Sequence, residues 1–253
     1  RHGEAMILRS AAELDSRFHD LGPGDVFLGL LPAQHLRGAA AADLLERGVR
    51  CVPSVLCQLL ARSKAAQAFV LKPWMAPHTR VIARRAELMD VVGYCAQHGI
   101  GAVVTKQEGM HCGHGIRRWE SAEALYNAVA FTDAAYPLVL QPFRPDIADV
   151  RVIRVGDYVE AYTRTNPFNF RANLAAGGAS APVAVDASME ALCRAVMDRG
   201  RFPYAHIDLH LGEGGACHVS EITLDGGIAG AIINRAELNR RKQAVLERMA
   251  EER

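Results

Sequence analysis

The chain has 253 residues, with 29 Lys and Arg against 28 Asp and Glu, a hydrophobic fraction of 50% and only 6% aromatic residues. The formal net charge of +1 excludes a broadly basic nucleic-acid coat and an acidic tail protein. The apolar content excludes low-complexity disorder, and the length fits one large domain or two small ones.

The cysteines and the apolar runs indicate the cellular compartment in which the protein is expected. The six cysteines are scattered and include no Cys-x-x-Cys pair, which is typical of reduced thiols rather than of a disulfide framework. No apolar run approaches the roughly 18–20 residues of a membrane span, and no signal-peptide pattern is present. We therefore expect a cytoplasmic protein that uses neither membrane nor nucleic acid. The first residue is Arg1 and not methionine, so an earlier natural start stays open.

Helix and strand patterns alternate in the first part of the chain. The strands over 25–31 and 49–52 flank a helix over 38–46, and this βαβ unit predicts a small α/β layer. The elements predicted here are, in order, helix 4–18, strand 25–31, helix 38–46, strand 49–52, helix 55–68, helix 86–98, strand 102–106, helix 121–131 and strand 139–143.

From Asp149 onward the pattern becomes antiparallel. The segment ADVRVIRVGDYVEAYTR predicts two alternating strands joined by a two-residue turn at Gly156-Asp157. A helix over 188–199, a second hairpin (HIDLHL-GEGG-ACHVSEI) and a charged helix near 231–251 follow. The order of elements predicts the α+β class, with a small α/β piece in front.

The turn of the first hairpin fixes its register. Arg151 then lies opposite Tyr162 and Asp149 opposite Arg164, so these four side chains share one face. An ionic face above an apolar one is also what an ordinary half-exposed sheet shows. The opposite face, expected to join the core, carries Val150, Val152, Ala161 and Thr163.

The second hairpin brings two acids together. With its turn centred on Glu213-Gly214, Asp208 pairs with Val219, and Glu221 and Thr223 share the face of Asp208. Asp208 and Glu221 become diagonal neighbours, roughly 7–8 Å apart at the backbone. Converging carboxylates repel unless a cation or a proton separates them, which favours a divalent metal site. The alternative is a pair of solvated polar strand residues.

Two loops carry residues suited to anions. Lys106 precedes a loop with Gly109, Gly113 and Gly115, and such a loop holds phosphates when backbone N–H groups and an ammonium converge, although ordinary loops also carry glycines. Arg171 in the segment RANLAAGG suits an anion or a carboxylate, with a structural turn as the alternative. The glycine loop also contains His111, Cys112 and His114. Their tight spacing disfavours a structural zinc site.

Taken in order, VVTK, LVLQPF, ADVRV, FRANLAAGG, HIDLHL and VSEI resemble the ATP-grasp superfamily, and within it the RimK-type glutamate ligases and bacterial glutathione synthetase. The resemblance runs from about Val52 to Ile228, and FRANLAAGG is its most specific element. It implies the ATP-grasp fold, two α+β lobes sandwiching ATP, with a shortened N-terminal α/β layer. The implied division is residues 1–60 for that layer, 61–143 for the N-terminal lobe and 144–253 for the C-terminal lobe.

The resemblance also implies roles for particular residues. Lys64 and Lys106 look like the two nucleotide-binding lysines, Gln141 and Phe143 like part of the hinge that reads adenine, and Asp149 like the acid near the ribose. The glycine loop that would close over ATP contributes Gly113 and Gly115. The catalytic residues implied are Arg151, Arg171 and Asn173. The metal ligands implied are Asp208, Glu221 and Thr223, the last in place of the usual Asn.

The function implied is an ATP- and Mg²⁺-dependent carboxylate–amine ligase that forms an amide or peptide bond through an acyl phosphate, with two magnesium ions. Its substrates would be a small-molecule or peptide carboxylate and an amine, and the resemblance also allows a homodimer. The alternative is a non-catalytic ATP-binding scaffold or regulatory protein that kept the fold. Thr223, a poorer neutral ligand than Asn, supports that alternative.

Overall fold

The structure is a computed structural model that describes residues 5–110, 113–132, 136–172, 174 and 177–252. The strands are β1 (Ile7–Leu8), β2 (Val26–Leu28), β3 (Arg50–Val52), β4 (Arg80–Ile82), β5 (Val103–Gln107), β6 (Ile116–Trp119), β7 (Leu138–Pro142), β8 (Ala148–Val155), β9 (Tyr158–Thr165), β10 (Ala179–Val183), β11 (Tyr204–Leu211) and β12 (Cys217–Thr223). The helices are α1 (Ala11–Arg17), α2 (Ala33–Arg37), α3 (Ala40–Glu46), α4 (Val55–Leu60), α5 (Lys64–Val70), α6 (Glu87–Gln97), α7 (Ala122–Val129), α8 (Ala187–Gly200) and α9 (Arg235–Glu251).

The first sheet is parallel, in the order β1-β2-β3, and confirms the predicted βαβ unit. Its side chains alternate between two cores, as the period of a strand requires. Phe27 and Cys51 pack in the cluster formed with the first helices. Val26, Leu28 and Val52 point the other way and join the core beneath the third sheet. The burial of these apolar side chains therefore attaches the first sheet to the rest of the molecule.

The predicted helix over 4–18 is wrong in its first part. Ile7–Leu8 is a strand, and the helix begins only after Ser10. The Ser10 hydroxyl accepts a hydrogen bond from the backbone N–H of Glu13, whose carboxylate accepts from the backbone of Ser10. This capping box fixes the helix start at a place that apolar spacing does not reveal. Residue 4 lies outside the described residues.

The predicted helix over 55–68 is two helices, α4 and α5. Ser63 accepts from the backbone N–H of Ala66 and so caps a second helix after a turn. Lys64 therefore begins a helix, whereas the predicted helix over 55–68 has it inside.

The second sheet is antiparallel, in the order β4-β7-β5-β6, and α6 and α7 cover one of its faces. Val103 and Leu140 belong to the core under these helices. Side chains alternate along each strand, so Lys106 on β5 and Gln141 on β7 lie on the opposite face. That face looks toward the third sheet.

The third sheet is antiparallel, in the order β10-β9-β8-β11-β12, with α8 and α9 packed behind it. The predicted register of β8 and β9 is confirmed, with Asp149 opposite Arg164 and Arg151 opposite Tyr162. Three of the four residues predicted for the opposite face are buried in the core. The fourth, Thr163, is half-buried instead and donates to the carbonyl of Ala181 at 3.2 Å.

The predicted register of the second hairpin is wrong. Leu209 pairs with Val219, but Asp208 pairs with Glu221, because Ser220 is an extra residue that forms a β-bulge. The two acids are therefore direct cross-strand partners rather than diagonal ones. No helix within the described ranges is long and apolar enough to cross a membrane.

Candidate functional site

A cavity of about 920 Å³ lies between the second and third sheets. Small-molecule sites are commonly of this size. Lys64 and Gly115 are not part of its lining, while Asn173, His111 and Cys112 lie outside the described residues. The predicted site residues that line it are Lys106, Gly113, Gln141, Phe143, Asp149, Arg151, Arg171, Asp208, Glu221 and Thr223.

Asp208 is the centre of a buried ionic network. Arg151 binds it with two hydrogen bonds, Nε to Oδ1 at 2.7 Å and Nη2 to Oδ2 at 2.9 Å, while Arg164 Nη2 lies 2.9 Å from Oδ2. Arg164 Nε also donates to Asp149 Oδ1 at 2.6 Å. The charged residues of the first hairpin are thus linked to Asp208 on β11, the predicted metal ligand.

The two acids of this network differ in their pKa values. Burial acts to raise the pKa of Asp208, but Arg151 and Arg164 outweigh it and hold that pKa below its usual range. Burial raises the pKa of Asp149, to which the charge of Asp208 adds, while Arg164 opposes the rise. Of these two acids, Asp208 therefore keeps its negative charge more firmly.

Lys106 supplies a buried cation. Its Nζ donates to Ser220 Oγ at 2.9 Å and to the Ser220 carbonyl at 3.2 Å, so the lysine contacts the bulge residue that precedes Glu221. Burial lowers its pKa, and the charges of Glu221 and Asp208 oppose that effect. An ammonium held in this way is poised to bind an anion that enters the cavity.

Lys64 lies beside the cavity rather than in its lining. Its Nζ donates to the carbonyl of Met110 at 2.7 Å and lies 3.5 Å from Glu221 Oε1. The backbone N–H of Ala65 donates to Glu108 Oε1 at 2.6 Å. The first turn of α5 is thereby attached both to the glycine loop and to the acid on β12.

Gln67 positions the strand that carries Glu221. Its amide donates to the carbonyls of Leu60 and Ile222, at 2.7 and 2.9 Å, and accepts from the Ile222 N–H at 3.0 Å. The side chain is only 2% exposed. No sequence pattern indicates this role, because a polar residue in a short helix is normally a surface residue.

Aromatic and cationic groups line one end of the cavity. Arg171 donates through Nε to the carbonyl of Ile116 at 3.0 Å, and a second bond from Nη2 reaches the same oxygen. The rings of Phe143 and Phe170 meet edge to face, with their centroids 6.0 Å apart. Arg118 lies over the Phe143 ring at 4.5 Å. This end therefore joins the second sheet to the loop that follows β9.

The loop after β12 closes the other end. Thr223 Oγ1 donates to the Asp225 carbonyl at 3.0 Å, and Arg235 donates to Asp225 Oδ1 and to the Gly226 carbonyl, each at 2.8 Å. Arg151 Nη1 donates to the Gly227 carbonyl at 2.9 Å. Arg235 and Arg164 are site residues to which the sequence assigned no role. The position of Arg164 opposite Asp149 could have indicated its role, whereas no sequence pattern indicates a role for Arg235.

His206 is buried beneath this loop, 2% exposed, and neither ring nitrogen has a hydrogen-bond partner within the described ranges. Burial, followed by the charges of Lys242 and Arg151, lowers its pKa to about 3. The unfolded chain takes up a proton near pH 6.5, whereas the folded chain does not. Below that pH the folded state is therefore progressively destabilised.

We expect His206→Gln to lose part of the acid sensitivity of the wild type. Between about pH 8 and pH 5, His206 should cost the wild type about 2 kcal/mol of unfolding free energy that the variant does not lose. Urea unfolding at several pH values measures this difference. Parallel pH profiles for the two proteins would contradict the assignment.

The cavity fits a magnesium ion whose ligands come partly from the protein and partly from a bound phosphate. Asp208 and Glu221 offer hard carboxylate oxygens from adjacent strands, which suit Mg²⁺. Within the described part of the chain, no group of three or more His, Cys, Asp or Glu residues could hold a metal ion. Mg²⁺ is commonly bound by one or two carboxylates together with phosphate oxygens. The donor set therefore fits an ion that arrives with a phosphate ligand.

Neither protein-family models nor characterised protein sequences give a match to this chain. Solved structures match its fold. D-cycloserine synthetase DcsG is 15% identical with a TM-score of 0.62, covering 88% of this chain and 84% of that one. D-alanine–D-alanine ligase from Bacillus anthracis complexed with ATP is 12% identical with a TM-score of 0.63, covering 96% and 85%.

A RimK domain ATP-grasp protein from Sphaerobacter thermophilus DSM 20745 is 19% identical with a TM-score of 0.53, and the match covers 90% of this chain and 80% of that one. These likenesses confirm the ATP-grasp fold and the α+β class. They do not single out the RimK type, since the other two structures superpose with higher TM-scores.

Proposed function

We propose that this protein is an ATP- and Mg²⁺-dependent carboxylate–amine ligase that forms an amide or peptide bond through an acyl phosphate. The observation that carries the proposal is the cavity between two antiparallel sheets of an ATP-grasp fold, whose walls carry Lys106, Arg151 and Arg164 together with Asp208 and Glu221. Cations and acids of this kind suit a nucleoside triphosphate with its metal.

The reaction needs positioning and charge stabilisation more than acid–base chemistry. A substrate carboxylate attacks the γ-phosphorus, ADP leaves, and an amine then displaces phosphate from the acyl phosphate. Lys106, Arg151 and Arg171 stabilise charge on the transferring group in this proposal. Because Arg151 is held by both oxygens of Asp208, its guanidinium enters the reaction already oriented.

Asp208 and Glu221 are the residues proposed to hold magnesium, with Thr223 beside them. Magnesium bound with ATP supplies Lewis-acid neutralisation of the phosphate oxygens. Gly113 and Gly115 belong to the loop proposed to close over the phosphates and exclude water. Gly115 has a φ of 74°, and a Cβ there would meet the Met110 side chain at 2.8 Å, so this loop conformation requires glycine.

The remaining assignments rest on the resemblance. Gln141 and Phe143 are proposed for the adenine end, Asp149 for the ribose, Lys64 for a nucleotide contact and Asn173 for the substrate. The RimK or glutathione synthetase type, a second magnesium ion, the small-molecule or peptide substrates and a homodimer belong to the same proposal.

A non-catalytic ATP-binding scaffold is the second candidate. Both oxygens of Asp208 accept hydrogen bonds from arginines, and the Thr223 hydroxyl donates to the carbonyl of Asp225. These contacts favour a nucleotide site with weak metal binding. Such a protein would bind ATP and release no phosphate.

An assay of ADP release across panels of carboxylic acids and amines tests the proposal. A ligase is expected to release ADP only when both an acid and an amine are present, with product formed in equal amount. ATP binding without ADP release under any pair would favour the scaffold. Absence of ATP binding would contradict both candidates.

Gln67→Leu is expected to weaken folding and nucleotide binding together. The variant leaves the backbone groups of Ile222 and Leu60 without their partner, which should cost about 3 kcal/mol of unfolding free energy. Because Ile222 follows Glu221, affinity for ATP with magnesium should also fall. Urea unfolding and calorimetry measure the two effects.

Gln58→Leu is the matched control. Gln58 is as deeply buried and holds backbone groups of Leu31 and Pro53, both at 2.7 Å, in the first layer. It should lose comparable stability and keep its nucleotide affinity. Equal losses of affinity in both variants would show that Gln67 acts through general stability alone.

A further inference from the structure

Gln141 faces the apolar part of the cavity. It lies on β7, is 5% exposed, and pairs across the sheet with Val104 of β5. Val104 and Ala76 line the cavity beside it, as does Phe143. The proposed function places the nucleotide base at this end. The polar atoms of Gln141 can therefore read the edge of the base.

A glutamine amide alone does not discriminate between purines. Its carbonyl oxygen accepts hydrogen bonds, its NH₂ donates them, and the two ends have nearly the same size and shape. A freely rotating amide could offer the acceptor to a 6-amino purine or the donor to a 6-oxo purine. Selectivity therefore depends on whether the protein fixes the rotation of the amide.

Thr79 fixes this rotation. The hydroxyl of Thr79 has one proton, which it donates to the carbonyl oxygen of Ala76 at 2.6 Å. Towards Gln141 the hydroxyl can then only accept, so the group that lies 3.0 Å from it must be the Gln141 NH₂. Both residues are buried, and their hydrogen-bond donors and acceptors match in only one orientation of the Gln141 amide.

The other end of the amide is left for a ligand. No donor among the described residues bonds to Gln141 Oε1, and this oxygen is not among the fully enclosed polar atoms that lack a partner. The residue lines the cavity. An acceptor that opens on an apolar pocket is satisfied by a ligand N–H and is opposed by a ligand carbonyl oxygen.

We propose that Thr79 is a positioning residue which holds the Gln141 amide as a hydrogen-bond acceptor, so that the cavity selects a 6-amino purine nucleotide over a 6-oxo purine nucleotide. The inference rests on the proposed function, since it requires the cavity to bind a purine nucleotide. Thr79 acts only through Gln141, because it does not itself line the cavity.

The test compares ADP with IDP, which differ at the 6-position of the base, by calorimetry with magnesium on the full chain. The wild type should bind ADP about 10- to 100-fold more tightly than IDP, the range expected when a buried acceptor loses its partner. Thr79→Val keeps the shape and removes the hydroxyl. It should reduce the preference to less than about threefold, because the amide can then rotate. Thr79→Ser should retain it.

Thr105→Val is the matched control for stability. Thr105 is also buried in the second sheet, where its hydroxyl accepts from Trp119 Nε1 at 2.8 Å, on the face away from the cavity. The variant should lose stability and keep the ADP preference. An unchanged preference in Thr79→Val, or no preference in the wild type, overturns the inference. If the wild type binds neither nucleotide, the proposed function itself is wrong.

Discussion

Replacing Asp208 by asparagine should abolish amine-dependent ADP release, with a loss of at least about 100-fold, and should also destabilise the fold. Asp208 is only 8% exposed, and its carboxylate neutralises Arg151 and Arg164. Removing its charge leaves two buried guanidinium groups without the carboxylate that they share, a loss of about 3–5 kcal/mol of unfolding free energy. ADP release and urea unfolding measure the two effects.

Glu221→Gln separates chemistry from stability in this experiment. Glu221 is more exposed than Asp208, and its ion pair with Lys64 is long at 3.5 Å. The variant should therefore fold nearly as well as the wild type while losing magnesium-dependent turnover. Wild-type turnover in Glu221→Gln would contradict the metal assignment, whatever the fate of Asp208→Asn.

Replacing Lys106 by methionine should lower the affinity for ATP by about 100-fold, because a charge-assisted contact to phosphate is lost inside a buried site. Stability should change by less than about 1 kcal/mol. The pKa of Lys106 is lowered by burial, which means that folding disfavours its charged form, and methionine removes that cost. Calorimetry and urea unfolding test both statements.

Lys242→Met is the matched control. Lys242 is also buried and also bonds to a backbone carbonyl, that of Leu224 at 2.9 Å, but it does not line the cavity. It should keep the wild-type affinity for ATP. A similar loss in both variants would mean that buried charge in general, and not the position of Lys106, governs binding.

The sequence predicted those parts of the site that local chemistry controls. The two-residue turn at Gly156-Asp157 has little freedom, so the register that joins Asp149 to Arg164 followed from it. The glycine-rich turn of the second hairpin allows several registers, and the bulge at Ser220 has no sequence signature. The pairing of Asp208 with Glu221 was therefore predicted wrongly, although both acids were identified.

Non-local contacts account for the parts of the site that the sequence did not predict. The bond from Arg164 to Asp208 depends on β8 lying beside β11, two strands that are distant in the chain. The bonds of Gln67 to Ile222 join residues 155 positions apart. Such contacts arise from packing of whole elements, which periodicity and turn chemistry do not encode.

Photolabelling with 8-azido-ATP in the presence of magnesium tests whether the cavity between the second and third sheets binds ATP. The azide is carried by the base, so we expect saturable labelling of the segment 141–149. An excess of ATP should prevent that labelling, and Lys106→Met should weaken it. Absence of saturable labelling, or labelling confined to segments outside the cavity, would mean that ATP does not bind there.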